Sequence, residues 1–205
     1  MNRRLTTRGK ERRHQLMEFA ARRFAENGYH PTSVAEIVDG MQVGKGVFYW
    51  YFSSKEELFL EILSEAQRGL RRRQQQAIME ATDPVRRIEL GIRASMEWLA
   101  ANRHLGSLFQ FAASEERFAP YLGRGQDVAI ADVVRHVQEG IETGQVRKAD
   151  PVLLAHAILG VTNHLARTFL FERDDPAEPV ADAAVSFCLE GLLGSRVLAS
   201  GATAW

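Results

Sequence analysis

Lys45, Tyr49, Trp50, Tyr51 and Lys55 crowd into one short stretch, K-G-V-F-Y-W-Y-F-S-S-K. Ammonium, phenol and indole groups all donate hydrogen bonds, and the two ring types add a flat apolar body. Together they suit the phosphates, sugars and base edges of a nucleic acid. No catalytic constellation competes with them. The six histidines are dispersed, and none forms His-Glu-x-x-His. No Cys/His cluster has zinc spacing, and no glycine-rich phosphate loop follows a strand. Cys188 lies in an apolar run and reads as an inert core thiol. The carboxylates of Glu115 and Glu116 sit at an expected helix end, where a solvated face explains them. No catalytic residue, metal ligand or cofactor is expected.

A pair of short helices must position that stretch. Thr32 or Ser33 can cap an amphipathic helix that buries Val34, Ile37 and Val38 and ends near Gly40. After a tight break, Gly44 opens a second helix that runs to about Tyr51. Such a pair suits a helix-turn-helix, whose second helix can enter the major groove of DNA. Phe48 and Phe52 are assigned to a small core. A helix from about Arg8 to Glu26 precedes the pair, with Leu16, Phe19, Ala20, Arg23 and Phe24 on one stripe, and Asn27-Gly28 stops it.

The rest of the chain also reads as helix, with no persistent strand alternation. Ser54-x-x-Glu57 is a capping-box pattern opening a long fourth helix. Asp83-Pro84 and Asp150-Pro151 each pair an N-cap with a first-turn proline, opening a fifth helix to about Asn102 and an eighth to about Glu172. A sixth spans about Leu105 to Glu116. The run Phe118 to Gly125 reads as a loop. A seventh follows from about Gln126 to Thr143, and a ninth from about Pro179 to Leu198, with Ala199 to Trp205 frayed. The fold class expected is all-α, with about nine helices.

Bulk properties narrow the setting. The 205 residues are 45% hydrophobic and 25% charged, an ordinary balance for a soluble globular chain. No apolar run is long enough to cross a bilayer, so no membrane partner is expected, and the basic start lacks a signal peptide's apolar core. A single cysteine excludes an intrachain disulfide and fits a reducing cytoplasm. The net charge of zero hides a division. Residues 1–55 hold 10 Lys+Arg against 5 Asp+Glu, and residues 56–205 hold 16 against 21. A basic module joined to an acidic one points to nucleic acid at the first end only. An arginine-rich start that is merely solvated is the alternative.

The expected eighth and ninth helices are apolar around most of their circumference, from Val152 and Leu153 to Phe171 and from Val180 to Val197. Such helices must be covered on all sides. A second copy of the chain would do so, giving a homodimer through helices 8 and 9 as a four-helix bundle about a two-fold axis. A monomer with one large core is the other solution.

Specific residues at fixed offsets go beyond these patterns. They are the run F-A-E-N-G-Y-H-P-T-S-V from Phe24 to Val34, then Ile37, Val43, Lys45, Gly46, Tyr49 and Phe52, and K-E-E-L from Lys55 to Leu58. On these the chain resembles the tetracycline-repressor (TetR) family of bacterial transcriptional regulators over about Leu16 to Leu63. Beyond Leu63 the likeness is architectural.

The resemblance implies a three-helix DNA-binding domain over 1–55 and an effector-binding and dimerisation domain over 56–205. It implies that the third helix lies in the major groove of double-stranded DNA. Lys45 would meet guanine or phosphate, and Gly46 would let the backbone approach the duplex. Tyr49 and Lys55 match positions that hold phosphates. Thr32 and Ser33 would bring a helix N-terminus to DNA. Trp50 and Tyr51 would touch sugar or base edges, or wedge between helices one and four. Arg3, Arg4, Arg8, Lys10, Arg12 and Arg13 would form an arm along the backbone or in the minor groove, or a solubilising tail.

Three positions depart from the family pattern. Met41-Gln42 replaces Ala-Gly in the turn, so Gln42 carries strain or Gly40 supplies the bend one step earlier. Gly44 replaces a hydroxyl N-cap. Val47 replaces a small hydroxyl residue, and its methyls can meet a thymine methyl.

For the effector end, helices five to eight are expected to enclose a pocket. Met96, Trp98, Leu99, Leu108, Phe109 and Phe111 are placed near it, with Val134, Val137, Leu165 and Phe169. Asn163 and His164 are polar groups in an apolar helix that a ligand can satisfy. His156, Gly160, Asn163 and Arg167 fall on one stripe, however, which equally suits a subunit seam or a solvent strip. The apolar content implies a lipophilic small-molecule effector. The family implies a repressor, bound as a homodimer to a near-palindromic operator and released when ligand moves helix four. A helical adaptor with a purely structural helix-turn-helix, or a small helical enzyme, remains open on the residues alone.

Overall fold

The computed structural model of the chain describes residues 6–193. Arg3 and Arg4 of the expected arm, and Val197, Leu198 and the expected frayed tail, lie outside the described residues. Nine α-helices and one π-helical segment are present, with no strand among the described residues. The first four helices are α1 (Thr7–Asn27), α2 (Val34–Gly40), α3 (Lys45–Tyr51) and α4 (Lys55–Ile78). They are followed by α5 (Pro84–Ala101), α6 (His104–Ser114), α7 (Ala119–Glu142), α8 (Pro151–Leu165) and α9 (Ala177–Leu193). The all-α reading is therefore correct.

Local chemistry explains most of the boundaries. Thr6 caps α1 by accepting from the Gly9 N–H at 3.2 Å, and Ser33 caps α2 by accepting from the Glu36 N–H at 3.1 Å. Asp83 and Asp150 accept from the Arg86 and Val152 N–H groups at 2.7 and 2.8 Å, each ahead of a first-turn proline. Gly28 ends α1 at φ 86°, where a side chain would be strained. The capping box is shifted by one residue. Ser54 Oγ accepts from the Glu57 N–H at 3.0 Å, but the Glu57 carboxylate takes the N–H and hydroxyl of Ser53.

Three expectations need correction. The run 118–125 is not a loop, since from Ala119 onward it forms the first two turns of α7. Pro120 is tolerated there because first-turn N–H groups have no helical partner to lose. Gly125 marks packing instead of a break, for a Cβ at this position would collide with the Gln67 side-chain amide. Secondly, the expected eighth helix changes type. Past Leu165 it continues as a π-helix over Ala166–Glu172, and the Asp175 N–H closes on Phe169 O at 2.8 Å. Arg103 holds this segment by donating to Leu170 O (2.7 Å) and Asp175 O (2.9 Å). Thirdly, Gly40 does not supply the bend before α3. It lies within α2, where a Cβ would run into the Phe19 ring, and Gln42 takes the left-handed conformation at φ 54°. A non-glycine residue costs about 1–2 kcal/mol there.

The chain divides into two compact units. The first runs up to Gly69 and includes His104–Gly125; the second takes Leu70–Arg103 and the chain from Gln126 on. Both α4 and α7 contribute residues to both.

In the first unit, Leu16, Phe24, Ile37, Phe48, Phe52, Leu58, Phe59, Leu63, Leu108 and Phe118 are buried. Each such side chain contributes about 1.5–3 kcal/mol on leaving water. Tyr29, Phe59, Phe111 and Phe118 form a ring cluster with centroids 4.8–6.0 Å apart. Arg23 fastens α1 to α2 through Glu36 at 2.5 Å.

In the second unit, Ile88, Ile92, Met96 and Leu99 of α5 pack with Leu154, Ile158, Leu170, Val180, Ala184 and Cys188. Helices α8 and α9 are covered on one side only. Leu154, Ala155, Ile158 and Thr162 are buried, while Val152 (47%), Leu153 (66%), Phe187 (67%) and Leu193 (50%) are exposed.

Candidate nucleic-acid interface and effector cavity

Helix α3 is anchored from behind and exposed in front. Phe48 is fully buried, and Phe52 just past the helix end is 1% exposed, so both are in the core as expected. Lys45, Gly46, Tyr49 and Trp50 occupy the opposite side and are all exposed. Their spacing of i, i+1, i+4 and i+5 places them on one helical face. Val47 and Tyr51 flank that face and are half-buried. Tyr49 is 57% and Trp50 61% exposed, unusual for aromatic rings on so short a helix. Gly44 precedes the helix with no side-chain cap, and a Cβ at Gly44 or Gly46 would meet nothing within 4 Å. The result is a short helix presenting an ammonium group, a bare backbone and two donor-bearing rings.

The α1–α2 loop behaves differently from the resemblance. Thr32 is fully buried, and its hydroxyl donates to Gly28 O at 2.8 Å and Arg23 O at 3.3 Å. It closes the loop onto α1, leaving Ser33 as the exposed hydroxyl at the start of α2. Lys55 donates to Tyr29 O (2.8 Å), His30 O (3.2 Å) and Thr32 O (2.9 Å), and its ammonium lies 4.4 Å from the Tyr29 ring centroid. An ammonium has three protons, and three carbonyls take them. Burial, with Arg117 adding to it, pushes the Lys55 pKa down. Its geometry is that of a clasp on residues 29–32.

Arg8, Lys10, Arg12 and Arg13 all lie on α1. Arg8 and Lys10 are exposed on the first turns of α1. Arg13 is drawn inward, 2.9 Å from Glu61 and 4.9 Å above the Phe52 ring.

A cavity of about 140 Å3 opens in the second unit. Ile78, Ile88, Ile92, Val133, Ile158 and Leu159 supply its apolar wall, and Arg71, Gln74, Arg87, Ser95, Asp132, Arg135 and His136 its polar one. Ser95 accepts from Gln74 at 2.8 Å and donates to Gly91 O at 2.6 Å. Arg71 pairs with Asp132 at 2.9 Å, and Arg87 with Glu139 at 2.7 Å. Burial, aided by Arg87 and Arg135, pushes the His136 pKa below the ordinary histidine value, favouring the neutral ring.

The twelve residues expected near an effector are not brought together. Leu108, Phe109 and Phe111 belong to the first unit. Met96, Leu99 and Val137 are packed into the second unit's core, with Trp98 against it. Asn163 and His164 are exposed on α8, and Val134 is half-buried on α7. Leu165 and Phe169 line a separate depression with Pro176, Pro179 and Val180. The sequence reading missed the polar lining of the cavity between α4, α5, α7 and α8. Its signal was a hydroxyl and an imidazole, Ser95 and His136, each one place ahead of a fully buried apolar residue, Met96 and Val137. Cys188 is buried, with its thiol pushed up to about 11 by burial.

Comparison with known proteins agrees with this geometry. The family model for bacterial regulatory proteins, tetR family, matches residues 16–62, which span most of α1 through the first turns of α4. The HTH-type transcriptional repressor KstR2 of Mycobacterium tuberculosis is 32% identical over 142 residues, 66% of this chain and 70% of that protein. The HTH-type transcriptional regulator YdgC of Bacillus subtilis is 25% identical over 199 residues, 92% of this chain and 96% of its own. Among solved structures, a TetR-family regulator from Syntrophomonas wolfei superposes with a TM-score of 0.81 at 24% identity, covering 92% of this chain and 98% of that one. The ketosteroid transcriptional regulator KstR2 of M. tuberculosis gives 0.70 at 27%, covering 94% and 98%. An exposed α3 backed by buried Phe48, within a helical chain that is 32% identical to a known repressor over 142 residues and 70% of that repressor's length, places this protein in the TetR family of DNA-binding transcriptional regulators.

Proposed function

We propose that the chain is a ligand-responsive repressor that binds a near-palindromic operator as a homodimer and leaves it when a small lipophilic effector binds. The carrying observation is the outward face of α3, with Lys45, Gly46, Tyr49 and Trp50 exposed over a fully buried Phe48. Lys45 takes a guanine edge or a phosphate, Tyr49 a phosphate, and Trp50 and Tyr51 the sugar or base edges. Gly46 admits the backbone, and Val47 meets a thymine methyl. Ser33 brings its N–H groups to a phosphate, while Thr32 and Lys55 hold the loop that positions it. The division of labour falls at 1–55 for DNA and 56–205 for effector and partner. The protein works in the cytoplasm, where its operator is.

The exposed apolar residues of α8 and α9 support the homodimer, because bare aliphatic and aryl groups of this size gain by excluding water against a second copy. Two α3 helices would then stand about 34–36 Å apart, the spacing of successive major grooves. The cavity lined by α4, α5, α7 and α8 takes the effector. Helix α4 contributes to both units, so its displacement by ligand alters the spacing of the heads. Ligand acts only as far as its affinity differs between the two spacings. Selection of bound sites from random duplex DNA with the full chain, alongside sedimentation, tests the reading. The expected outcome is an inverted repeat bound by a dimer. A monomer that enriches no sequence at low salt would overturn it.

A further inference from the structure

The cavity of the second unit has one polar atom left over. His136 Nδ1 is buried there and has no hydrogen-bond partner among the described residues. Buried polar atoms in folded proteins are nearly always paired, and an unpaired one on a side chain that lines a cavity is an invitation to a ligand. Ser95 offers no such vacancy, since its hydroxyl both accepts from Gln74 and donates to Gly91 O.

The charge around the cavity is uneven. Arg71, Arg87 and Arg135 line it, and Asp132 is the one carboxylate in that lining. Asp132 is divided between Arg71 and Arg135, at 2.9 Å from each, and Arg87 reaches Glu139 outside the lining. The remaining positive excess favours an anion and disfavours an amine. The side chains of Ile78, Ile88, Ile92, Ile158 and Leu159 in the same lining offer no hydrogen bond and ask for hydrocarbon. Size completes the description. A cavity of about 140 Å3 is close to the engineered cavity of about 150 Å3 that binds benzene. It holds a body of about six to ten non-hydrogen atoms, too few for a fused four-ring skeleton.

We propose that this cavity receives a small lipophilic carboxylate, with the Nδ1–H of His136 donating to the carboxylate and the isoleucine wall covering the hydrocarbon. The proposal rests on the effector-cavity reading above and narrows it to one chemical class. His136 is its specificity-determining residue. A carboxylate has no proton to give, so it selects the tautomer with hydrogen on Nδ1.

The test uses the full chain and calorimetric titration with hexanoate, octanoate and phenylacetate, each beside its alcohol and its primary amide. The carboxylates are expected to bind at least about tenfold tighter than their uncharged counterparts, as a charge-assisted hydrogen bond requires. His136→Phe should weaken carboxylate binding by about tenfold, and His136→Asn, which restores an N–H, should recover part of it. In the wild-type protein the His136 Nδ1 resonance should move on adding octanoate and stay put on adding octanol, a readout that needs no variant. Equal binding of acid and alcohol, an unmoved resonance, or no binding of any carboxylate overturns the proposal. Gly91→Leu separates this from the reading beneath it, because a side chain there points into open space at the cavity. If Gly91→Leu abolishes operator release by a metabolite extract while no carboxylate binds, the carboxylate class is wrong and the cavity stands. If Gly91→Leu leaves that release intact, the cavity itself is the wrong place.

Discussion

Helix α3 and the α8–α9 pair each turn an exposed face outward, and the two faces are chemically opposite. On α3 the exposed residues are a lysine, a glycine and two donor-bearing aromatics. On α8 and α9 they include Val152, Leu153, Phe187 and Leu193, which offer no hydrogen bond at all. An exposed ammonium keeps its hydration at little cost and gives it up for a polyanion with release of counterions. An exposed phenylalanine has only dehydration to gain, most simply against an identical surface. Exposure alone marks a face open to a partner, and the type of side chain says which chemistry it suits.

The comparison breaks most visibly at the greasy face. Leu153→Glu with Phe187→Glu should leave the chain monomeric by sedimentation and lower operator affinity by more than about a hundredfold, because linked heads bind as one unit. A dimer that survives the double substitution would assign that face to something else. The polar face should respond in the converse way. Lys45→Ala with Tyr49→Ala should cost operator affinity on the order of a hundredfold while sedimentation stays dimeric. The same pair should flatten the salt dependence by about one unit of slope for each phosphate no longer neutralised.

Smaller effects sharpen how α3 is held. Gly40→Ala drives a methyl group into the Phe19 ring and should destabilise the chain by about 1–3 kcal/mol in denaturant unfolding. Gln42→Gly should act in the other direction by about 1 kcal/mol, by relieving the left-handed residue before α3.

The smallest expected effect is a pH dependence. Burial depresses both His104 and His136 below their ordinary values, with Arg22 adding to it at the first and Arg87 and Arg135 at the second. Below about pH 6.5 the unfolded chain takes up protons on these rings that the folded chain refuses, so stability falls as pH falls. Melting temperatures between pH 7.5 and 5.5 should drop, and less steeply in His136→Phe.

Much of this fold is legible in the sequence because helix ends carry local chemistry. Asp83-Pro84, Asp150-Pro151, Ser33 and Gly28 act through bonds within a few residues of themselves, so their meaning survives without tertiary knowledge. The first turns of α7 are not legible, because Gly125 looks like a loop residue until Gln67 is seen against it. The π-helical turn is hidden for a similar reason, since Arg103 holds it from across the second unit. The outward face of α3 is readable from residue types at fixed offsets. The contacts of Lys55 are not, because the loop brings three carbonyls to it from residues more than twenty places away. The cavity is harder still. Apolar stripes point to Met96 and Val137, but these pack so completely that they leave no space. The hole lies beside Ser95 and His136, whose polar groups interrupt that packing.

Cys188 has a practical consequence. It is the chain's sole cysteine, it is buried, and burial raises its thiol to about 11. A surface thiol near the ordinary value is ionised roughly three hundredfold more at neutral pH. A maleimide dye or spin probe would therefore ignore the native sulfur and mark a cysteine engineered at a position such as Tyr49. Paired probes on the proposed dimer would then measure, as a ruler, how far apart its two α3 helices stand before and after a ligand is added.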